Sequence, residues 1–443
     1  FARDDSSLGM TPAPPSLRPV LAALVLAGCA PNPPAGPLPA GQTDPIVVLV
    51  SLDGFRWDYL DRGLSPNLDR LAREGVRARA LIPVFPTKTF PNHYAIVTGR
   101  YPVKNGIVGN TFTDPELGAK FSMWNREAVR DGRFWGAEPI WVTAEKQGRR
   151  TAPFFWPGSE AAIEGVRPTY VVPFDGDLPD TARVRQVLSW LDLPVDRRPS
   201  FLTLYFSDVD HAGHRFGPDS PQTDSAIALT DSMIGLLLAG LSERRLAETV
   251  DLVIVSDHGM AATGPDRVIW LDDYVDRTSI EVDALSPVLM AWPREGLEDS
   301  VYGGLRRAPQ LTVYRRADLP LRFRLEGSPR VPPIVALADE GWTIEWRAAA
   351  AETRAWNSFG DHGYDDSLPV MRAIFIAHGP AFRRGLVVPP FRNIHIYPLL
   401  AEVLGLRPAP TDGTVDSMRV MLSSPLPARA SRLPLRPPPR SRP

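Results

Sequence analysis

The sequence predicts an α/β fold in which a mostly parallel central sheet carries helices on both faces. Four apolar runs suit strands that are buried on both faces: PIVVLVSLDGF, SFLTLYFSDVD, DLVIVSDHGM and VMRAIFIAHGP. Stretches with helical spacing separate these runs, and strands that alternate with helices favour a parallel sheet. The first three runs end in acidic or histidine residues, and ligands of open α/β sheets bind at the carboxyl ends of strands.

Two of the segments between the runs show helical periodicity. PNLDRLAREG places Leu68 and Leu71 three positions apart. In ARVRQVLSWLDL, one face of the predicted helix carries four apolar residues, namely Val184, Val187, Leu188 and Leu191.

The N-terminal residues 1–29 resemble a secretory signal. The apolar run at 20–27 is shorter than the about 20 residues that a membrane span needs, but it suits the apolar region of a signal peptide. The run ends in Leu-Ala-Gly-Cys, which resembles the lipobox of bacterial lipoproteins, so we predict that Cys29 is lipidated. We therefore expect a periplasmic or outer-membrane-tethered lipoprotein, or otherwise a secreted protein, with membrane contact only through the lipid anchor.

The rest of the chain divides by composition. Residues 30–44 are small residues and prolines and read as a tether, and residues 45–423 form the predicted catalytic domain. Within that domain, residues 264–355 contain no histidine and no comparable apolar run, so we predict an insertion or cap there. Residues 424–443 are rich in proline and arginine and are predicted to be disordered.

Composition narrows the possible partners. The net charge of −2 lacks the basic excess that duplex nucleic acid usually requires. The apolar share of 44% is enough for a sizeable core. Cys29 is the only cysteine, so no disulfide forms within one copy of the chain. The sequence leaves the oligomeric state open.

Three carboxylates and three imidazoles recur in short strand-end motifs, and this set suits two borderline metal ions such as zinc. The carboxylates offset the metal charge, and neutral imidazoles supply nitrogen donors. Each histidine taken singly is more often structural, but together the motifs favour a metal site. The candidate ligands are Asp53 in SLDGF, Asp210 and His214 in DHAGH, Asp257 and His258 in SDHGM, and His362 in GDHGYD.

The other four histidines are given no metal role. His378 and His395 are interpreted as packing or surface residues, His211 is expected to point away from Asp210 or His214, and His93 is given no catalytic role.

The segment FPTKTFPNHYAIVTG is the candidate source of a nucleophile. A loop interrupted by proline leads into HYAIVTG, which is predicted to form the first turns of a helix. A helix start offers free N–H groups and a positive dipole end to a phosphate. Metal coordination would lower the pKa of a threonine hydroxyl. Spacing alone does not choose between Thr87 and Thr89, and either threonine could instead cap the helix.

These motifs, in this order, resemble the nucleotide pyrophosphatase/phosphodiesterase family of the alkaline phosphatase superfamily. The resemblance rests on SLDGF, TKTFPNHYAIVTGRYPVKNGIVGN, DHAGH, SDHGM, GDHGYD and IHIYPLLAEVLGLRPAPTDGT, and it runs from about residue 45 to residue 414. It implies an alkaline-phosphatase-like fold in a stand-alone catalytic domain of the bacterial kind. It also implies hydrolysis of phosphodiester and pyrophosphate bonds, of nucleotides to nucleoside 5′-monophosphates, at a site with two Zn²⁺ ions or other divalent metals.

The resemblance assigns roles to particular residues. It implies that Thr89 is the nucleophile, forms a phospho-threonine intermediate and completes the shell of one metal. It further implies that Asn110 binds a phosphoryl oxygen, and that Phe90 and Tyr205 hold a nucleobase between them. Core packing is the plainer interpretation of both aromatic residues. The implied zinc ligands are Asp210, His214 and His362 for one ion, and Asp53, Asp257 and His258 for the other.

Several alternatives remain open. A phosphomonoesterase would need an arginine clamp, and a sulfatase a Cys or Ser in C/S-x-P-x-R; neither motif is present around Thr89. A lysophospholipid phosphodiesterase would share the same motifs. A lipoprotein that only binds phosphorylated ligands is the remaining alternative, although every expected position is filled.

Overall fold

The computed structural model describes residues 45–348 and 358–423, and a seven-stranded sheet forms its centre in the order β18-β2-β17-β8-β1-β7-β6. The strands are β1 Ile46–Leu52, β2 Val76–Ala78, β6 Thr151–Ala152, β7 Phe201–Phe206, β8 Val250–Val255, β17 Phe375–His378 and β18 Leu386–Val388. Every residue of β1 and β8 is buried, which explains their largely apolar sequences; the polar exceptions are Ser51 in β1 and Asp251 in β8.

The predicted sheet is confirmed, with one strand reversed. β1 pairs in parallel with β7 on one side and β8 on the other, and the pairs β6–β7 and β2–β18 are parallel too. β17, which lies within the fourth apolar run, is antiparallel to both β8 and β2. The sheet is therefore mostly parallel, as expected for an α/β fold with helices around it.

The two segments with helical periodicity are helices. The apolar residues Leu68 and Leu71 of the first, and the predicted apolar stripe of the second, lie in the core. The helices are α1 Pro66–Glu74, α2 Thr89–Thr98, α3 Pro102–Asn105, α4 Arg126–Arg130, α5 Ile140–Lys146, α6 Asp180–Leu191, α7 Asp208–Phe216, α8 Pro221–Glu243, α9 Glu298–Leu305 and α10 Ile396–Leu404.

In the described part of the chain, α8 alone is long and apolar enough to cross a membrane, by length and composition only. Its buried residues Ile227, Ile234 and Leu237 belong to the core on one side of the sheet.

A second, antiparallel sheet lies between β8 and β17 in sequence, in the order β11-β12-β14-β13. Its strands are β11 Ile280–Ala284, β12 Val288–Pro293, β13 Leu311–Arg315 and β14 Ile334–Ala338. Asp283 of β11 accepts hydrogen bonds from the backbone and hydroxyl of Thr113, both at 2.8 Å. Thr113 belongs to a hairpin of β4 Thr111–Asp114 and β5 Ala119–Ser122, so the second sheet is attached to the segment that follows Asn110.

Short strand pairs complete the fold: β3 Leu81–Ile82 with β19 Phe391–Arg392, β9 Ala261–Ala262 with β16 Gly360–Asp361, and β10 Val268–Trp270 with β15 Thr343–Glu345. The predicted signal, Cys29, tether and tail lie outside the described residues. The domain boundaries and the location in the cell therefore stay predictions.

Candidate functional site

Three neighbouring strands bring acidic residues to one edge of the sheet. Asp53 follows β1 directly, Asp257 lies two residues after β8, and Asp210 lies in the first turn of α7, which begins just after β7. In the parallel register, Ser51 stands opposite both Tyr205 and Val255, so the carboxyl ends of the three strands coincide. The parallel pairing therefore gathers residues that are distant in sequence.

Gly54 permits the close approach of two of these segments. Its φ is +67°, and a Cβ at this position would lie 2.9 Å from Cα of Asp210. Its N–H donates to Oδ1 of Asp257 at 3.2 Å. A larger residue here would push the Asp53 segment away from α7.

One group of donors consists of Asp210, His214 and His362. Asp210 and His214 lie one turn apart on α7, and Nε2 of His214 is 3.5 Å from Oδ1 of Asp210. Nε2 of His362, which follows β16, is 3.7 Å from the same oxygen. The donor atoms of the three residues lie within 4.8 Å of one another, a spacing that suits one metal ion.

A second group surrounds the buried His258. Its Nε2 atom is 3.4 Å from Oδ1 of Asp53 and 3.0 Å from Oδ2 of Asp257. The rings of His258 and His362 are stacked with centroids 3.5 Å apart, so the two groups are adjacent. Asp210 bridges them, because its donor atom also groups with those of Asp53 and His258.

The backbone fixes the tautomer of all three imidazoles. Nδ1 of His258, His214 and His362 donates to the carbonyl oxygens of Gly259, Gly360 and Thr87, at 2.9, 2.9 and 2.8 Å. A carbonyl oxygen only accepts, so each Nδ1 carries the proton. The lone pair of each neutral ring is then on Nε2, the atom that faces the carboxylates, as in protein metal sites.

Buried carboxylate oxygens in the cluster lack donors. Oδ1 of Asp53, Oδ1 of Asp210 and Oδ2 of Asp257 are buried and accept no hydrogen bond from any described residue. In the tautomers that the backbone sets, the Nε2 atoms of His258, His214 and His362 present lone pairs rather than protons to these oxygens, at 3.0 to 3.7 Å. Buried anionic oxygens without partners are costly, and bound cations would satisfy them. The residues therefore fit divalent metal ions.

The charge state of the cluster agrees with this assignment. Burial raises the pKa of Asp53 well above its ordinary value, and the negative charges of Asp257 and Asp210 raise it further. Burial alone would also raise the pKa of Asp257, but positive charge at His258 and His93 would hold it well below its usual range, and a cation bound at Nε2 of His258 would supply that charge beside a neutral ring. Burial lowers the pKa of His362, so that ring is neutral. A cation would relieve the repulsion between the carboxylates.

Thr89 lies at the edge of this cluster, and its Oγ1 atom is 3.4 Å from Nε2 of His258. The hydroxyl of Thr87 is buried and donates to the carbonyl oxygen of Tyr364 at 2.8 Å, while it accepts from the N–H of Gly363. Thr87 therefore holds the segment that carries His362. Of the two threonines, Thr89 is the one whose hydroxyl faces the donor cluster.

Helix α2 begins at Thr89, four residues before the HYAIVTG segment that was expected to start it. Pro91 is accommodated because the first turn needs no N–H there. No side chain caps the helix, so Thr89 does not have the capping role that the sequence left open. Fewer N–H groups at the start of α2 are free to bind a phosphate than the sequence suggested, because Pro91 has none and the N–H of Phe90 donates to Oδ1 of Asn110 at 2.9 Å.

That hydrogen bond places Asn110 beside the candidate nucleophile. With Oδ1 occupied by Phe90, the Nδ2 amide group of Asn110 is the donor that remains for a substrate oxygen.

An aromatic cavity of about 330 Å³ opens next to Thr89. The structure places both predicted aromatic residues, Phe90 and Tyr205, in its wall. Tyr205 also donates its hydroxyl proton to Oδ2 of Asp53 at 2.6 Å, so it joins the cavity to the cluster. Sequence reasoning missed the remaining walls, which come mainly from loops, with Arg126 and Val129 on α4 and His211 on α7. These walls are formed by Met123, Trp124, Arg126, Val129, Phe155, Trp156, Pro157, Ser159, Glu160, Phe174, Gly176, Ser207 and His211. The aromatic run FFWPGS was the available signal.

His93 lies closer to the cluster than its sequence position suggested. Nδ1 donates to the carbonyl oxygen of Thr89 at 2.9 Å and lies 3.3 Å from Oδ2 of Asp257. Nε2 then accepts from the hydroxyl of Ser51 at 2.8 Å. Both ring nitrogens are engaged, so His93 supports the start of α2 rather than offering a lone pair to a metal.

The remaining histidines have surroundings of other kinds. His211 is exposed at the rim of the cavity, although it lies between Asp210 and His214 on α7. His378 lies at the end of β17, 4.0 Å from Glu74. His395 accepts from the N–H of Thr414, near the start of α10.

Known proteins are similar to this chain in sequence and in fold. A family model described as type I phosphodiesterase / nucleotide pyrophosphatase matches residues 47–365. An uncharacterised pyrophosphatase/phosphodiesterase of Schizosaccharomyces pombe is 39% identical over 388 residues, which cover 84% of this chain and 79% of the relative. Human ectonucleotide pyrophosphatase/phosphodiesterase family member 5 is 37% identical over 386 residues, covering 86% and 79%. The matched region covers only 43% of human family member 1, which is also 37% identical.

Solved structures agree. Murine ectonucleotide pyrophosphatase/phosphodiesterase 5 matches with a TM-score of 0.82 at 37% identity, over 85% of this chain and 100% of that chain. An inactive threonine-to-alanine variant of the murine protein, in complex with AMP, matches with a TM-score of 0.81 at 36% identity, covering 86% and 100%. The chain therefore belongs to the type I phosphodiesterase / nucleotide pyrophosphatase family, whose enzymes hydrolyse phosphodiester bonds, and has its alkaline-phosphatase-like α/β fold.

Proposed function

We propose that this enzyme hydrolyses phosphodiester and pyrophosphate bonds of nucleotides to give nucleoside 5′-monophosphates, with Thr89 as the nucleophile. The observation that carries the proposal is the set of buried carboxylate oxygens without donors, facing imidazole Nε2 atoms beside the hydroxyl of Thr89. The inactive threonine-to-alanine variant of the murine relative supports a threonine nucleophile.

Two divalent ions, proposed to be Zn²⁺, would be held by the residues that the family resemblance implied: Asp210, His214 and His362 for one, and Asp53, Asp257 and His258, with Thr89, for the other. Bound there, the ions would supply Lewis acidity toward phosphoryl oxygens and lower the pKa of coordinated hydroxyl groups.

The residues of the chain then perform two displacements at phosphorus. Oγ1 of Thr89 gives its proton to solvent and forms a bond to phosphorus, while the bond from phosphorus to the leaving oxygen breaks and that oxygen departs with the bonding electrons. Water next attacks the phospho-threonine and loses a proton, the bond from phosphorus to Oγ1 breaks, Oγ1 takes up a proton, and the nucleoside monophosphate leaves. Asn110 donates from Nδ2 to a phosphoryl oxygen, and the positive end of α2 favours the anionic phosphate.

The aromatic cavity favours nucleotides as substrates. Phe90 and Tyr205 line it beside Thr89, and aromatic side chains bind nucleobases by stacking. The AMP complex of the murine relative supports the same class of ligand. Lysophospholipids are the second candidate class, because an apolar cavity could also accept an acyl chain.

The test compares the nitrophenyl diester of thymidine 5′-monophosphate with nitrophenyl phosphate, before and after chelation and with zinc added back. We expect release of nitrophenol from the diester to exceed release from the monoester, to stop on chelation and to return with zinc. Preference for the monoester would replace the proposal with a phosphomonoesterase. Cleavage of lysophosphatidylcholine without cleavage of nucleotides would overturn the substrate class, and no activity on any of them would favour the non-catalytic binding protein.

A further inference from the structure

Trp124 is the most exposed large apolar side chain among the residues that the structure describes, at 81% of its full accessible surface. It lies at the rim of the aromatic cavity, on the turn between β5 and α4. The cavity residues Phe90 and Tyr205 are half-buried and lie deeper. A large apolar side chain that is exposed at the entrance to a substrate cavity is a candidate contact for a ligand.

The backbone of this turn is fixed relative to Asn110. The N–H of Met123 donates to the carbonyl oxygen of Asn110 at 2.9 Å, and the N–H of Trp124 donates to Oγ of Ser122 at 3.3 Å. Asn125 caps α4 through its side-chain oxygen, which accepts from the N–H groups of the first turn at 3.0 and 3.3 Å. The backbone of Trp124 is therefore anchored, through Met123, to Asn110.

Glu160 connects the two sides of the cavity entrance, which are α4 and the loop that carries Phe174. Its carboxylate pairs with Arg126 and, at 3.0 Å, with Arg130, both on α4. The same carboxylate accepts from the N–H of Phe174 at 3.0 Å, which fixes the opposite loop. The guanidinium of Arg126 lies 5.9 Å from the centre of the Phe174 ring. The buried Glu160 carboxylate therefore links α4, which follows Trp124, to the loop that carries Phe174.

We propose that Trp124 is a specificity-determining residue: its indole forms the outer wall of the nucleobase site and contacts the base of the nucleoside that is retained on Thr89. This inference rests on the proposed function and extends it to the base side of the substrate. A nucleobase suits this entrance better than an acyl chain does. It offers a flat face to the indole and polar edge atoms to Arg126 and Glu160, whereas a hydrocarbon chain would remove water from this ion pair without offering it a hydrogen bond.

The experiment compares two diesters that differ in the base. One is the nitrophenyl diester of thymidine 5′-monophosphate, and the other is methyl nitrophenyl phosphate, which has no nucleoside. For Trp124→Ala we expect KM for the thymidine diester to rise about tenfold with little change in kcat, a size typical of one lost stacking contact. The kinetics of methyl nitrophenyl phosphate should not change. Trp124→Phe should restore most of the affinity for the thymidine diester.

Val387→Ala is the matched control. Val387 is 57% exposed on β18, at the opposite edge of the main sheet from β6 and β7, and it does not line the cavity. It should leave both substrates unaffected. An unchanged KM for the thymidine diester in Trp124→Ala, or equal losses on both substrates, would overturn the role in base recognition. A wild-type protein that cleaves neither diester would instead overturn the proposed function.

Discussion

The donor cluster and the aromatic cavity are adjacent, yet they are built in opposite ways. The cluster residues follow strands or lie on a helix, and backbone carbonyl groups orient all three of its imidazoles. The cavity is lined mainly by side chains from loops, and its rim residues Trp124 and Phe174 are exposed. A rigid sheet edge therefore fixes the chemistry, while loops that tolerate change more easily set which substituent the enzyme accepts.

Removing the proposed nucleophile is expected to have the largest effect, and it tests the donor cluster. We expect Thr89→Ala to lower kcat by about three orders of magnitude or more, because loss of a covalent nucleophile leaves only binding and electrostatic stabilisation. Metal content should stay close to that of the wild type, since the six Asp and His residues proposed as ligands remain. Steady-state kinetics and metal analysis of the same preparation check both.

Thr89→Ser is the matched control for this prediction, because it keeps a hydroxyl at the position and should retain part of the activity. Near wild-type kcat in Thr89→Ala would move the nucleophile to Thr87 or to water.

Tyr205 lines the aromatic cavity with its ring and contacts the donor cluster through its hydroxyl, so Tyr205→Phe tests the two contacts separately. The substitution keeps the ring in the cavity wall but removes the hydrogen bond of 2.6 Å to Oδ2 of Asp53. Partners of metal ligands typically change metal affinity or activity by about 10 to 100-fold, so we expect a loss near the lower end of that range. The loss should appear in zinc affinity and kcat, with KM for nucleotides nearly constant.

The measurement is a zinc titration of the chelated variant together with nucleotide kinetics, and Phe90→Ala serves as the complement because it removes only a cavity wall. A rise in KM without loss of zinc affinity in Tyr205→Phe would mean that the hydroxyl acts on the substrate instead.

The smallest effect is expected at Asp180, the first residue of α6. Burial, and then the nearby charge of Asp208, raise its pKa from 3.8 to about 7. Because the folded pKa lies above the unfolded value, the folded protein loses stability as pH rises between these values, and the full penalty is present above about pH 7. Asp180→Asn should remove it, so we expect Tm to rise by a few degrees at pH 8 and by less at pH 5.

Thermal unfolding of the zinc-loaded protein at the two pH values measures this gain, and kcat should not change because Asp180 belongs neither to the donor cluster nor to the residues that line the cavity. An equal gain at both pH values would mean that the ionisation of Asp180 is not the cause of the lost stability.

The periodicity of the sequence predicted the parts of the fold that depend on burial. Strands buried on both faces are largely apolar, which is why β1, β7 and β8 could be found although each also buries one polar residue, namely Ser51, Thr203 and Asp251. The acidic residues after these strands could be placed at one edge because parallel pairing brings carboxyl ends together. The direction of β17 could not be predicted, since a buried strand has the same composition in either orientation.

The sequence by itself determined the ligand types, their position at strand ends and the candidate threonines, because each depends on residue chemistry and local spacing. Only the tertiary structure showed that the hydroxyl of Thr87 is used within the protein whereas that of Thr89 faces the cluster. Only the tertiary structure brought Trp124, Glu160 and Phe174 to one entrance. These contacts join loops far apart in the chain, and no local periodicity encodes which loops meet; packing around the completed sheet decides it.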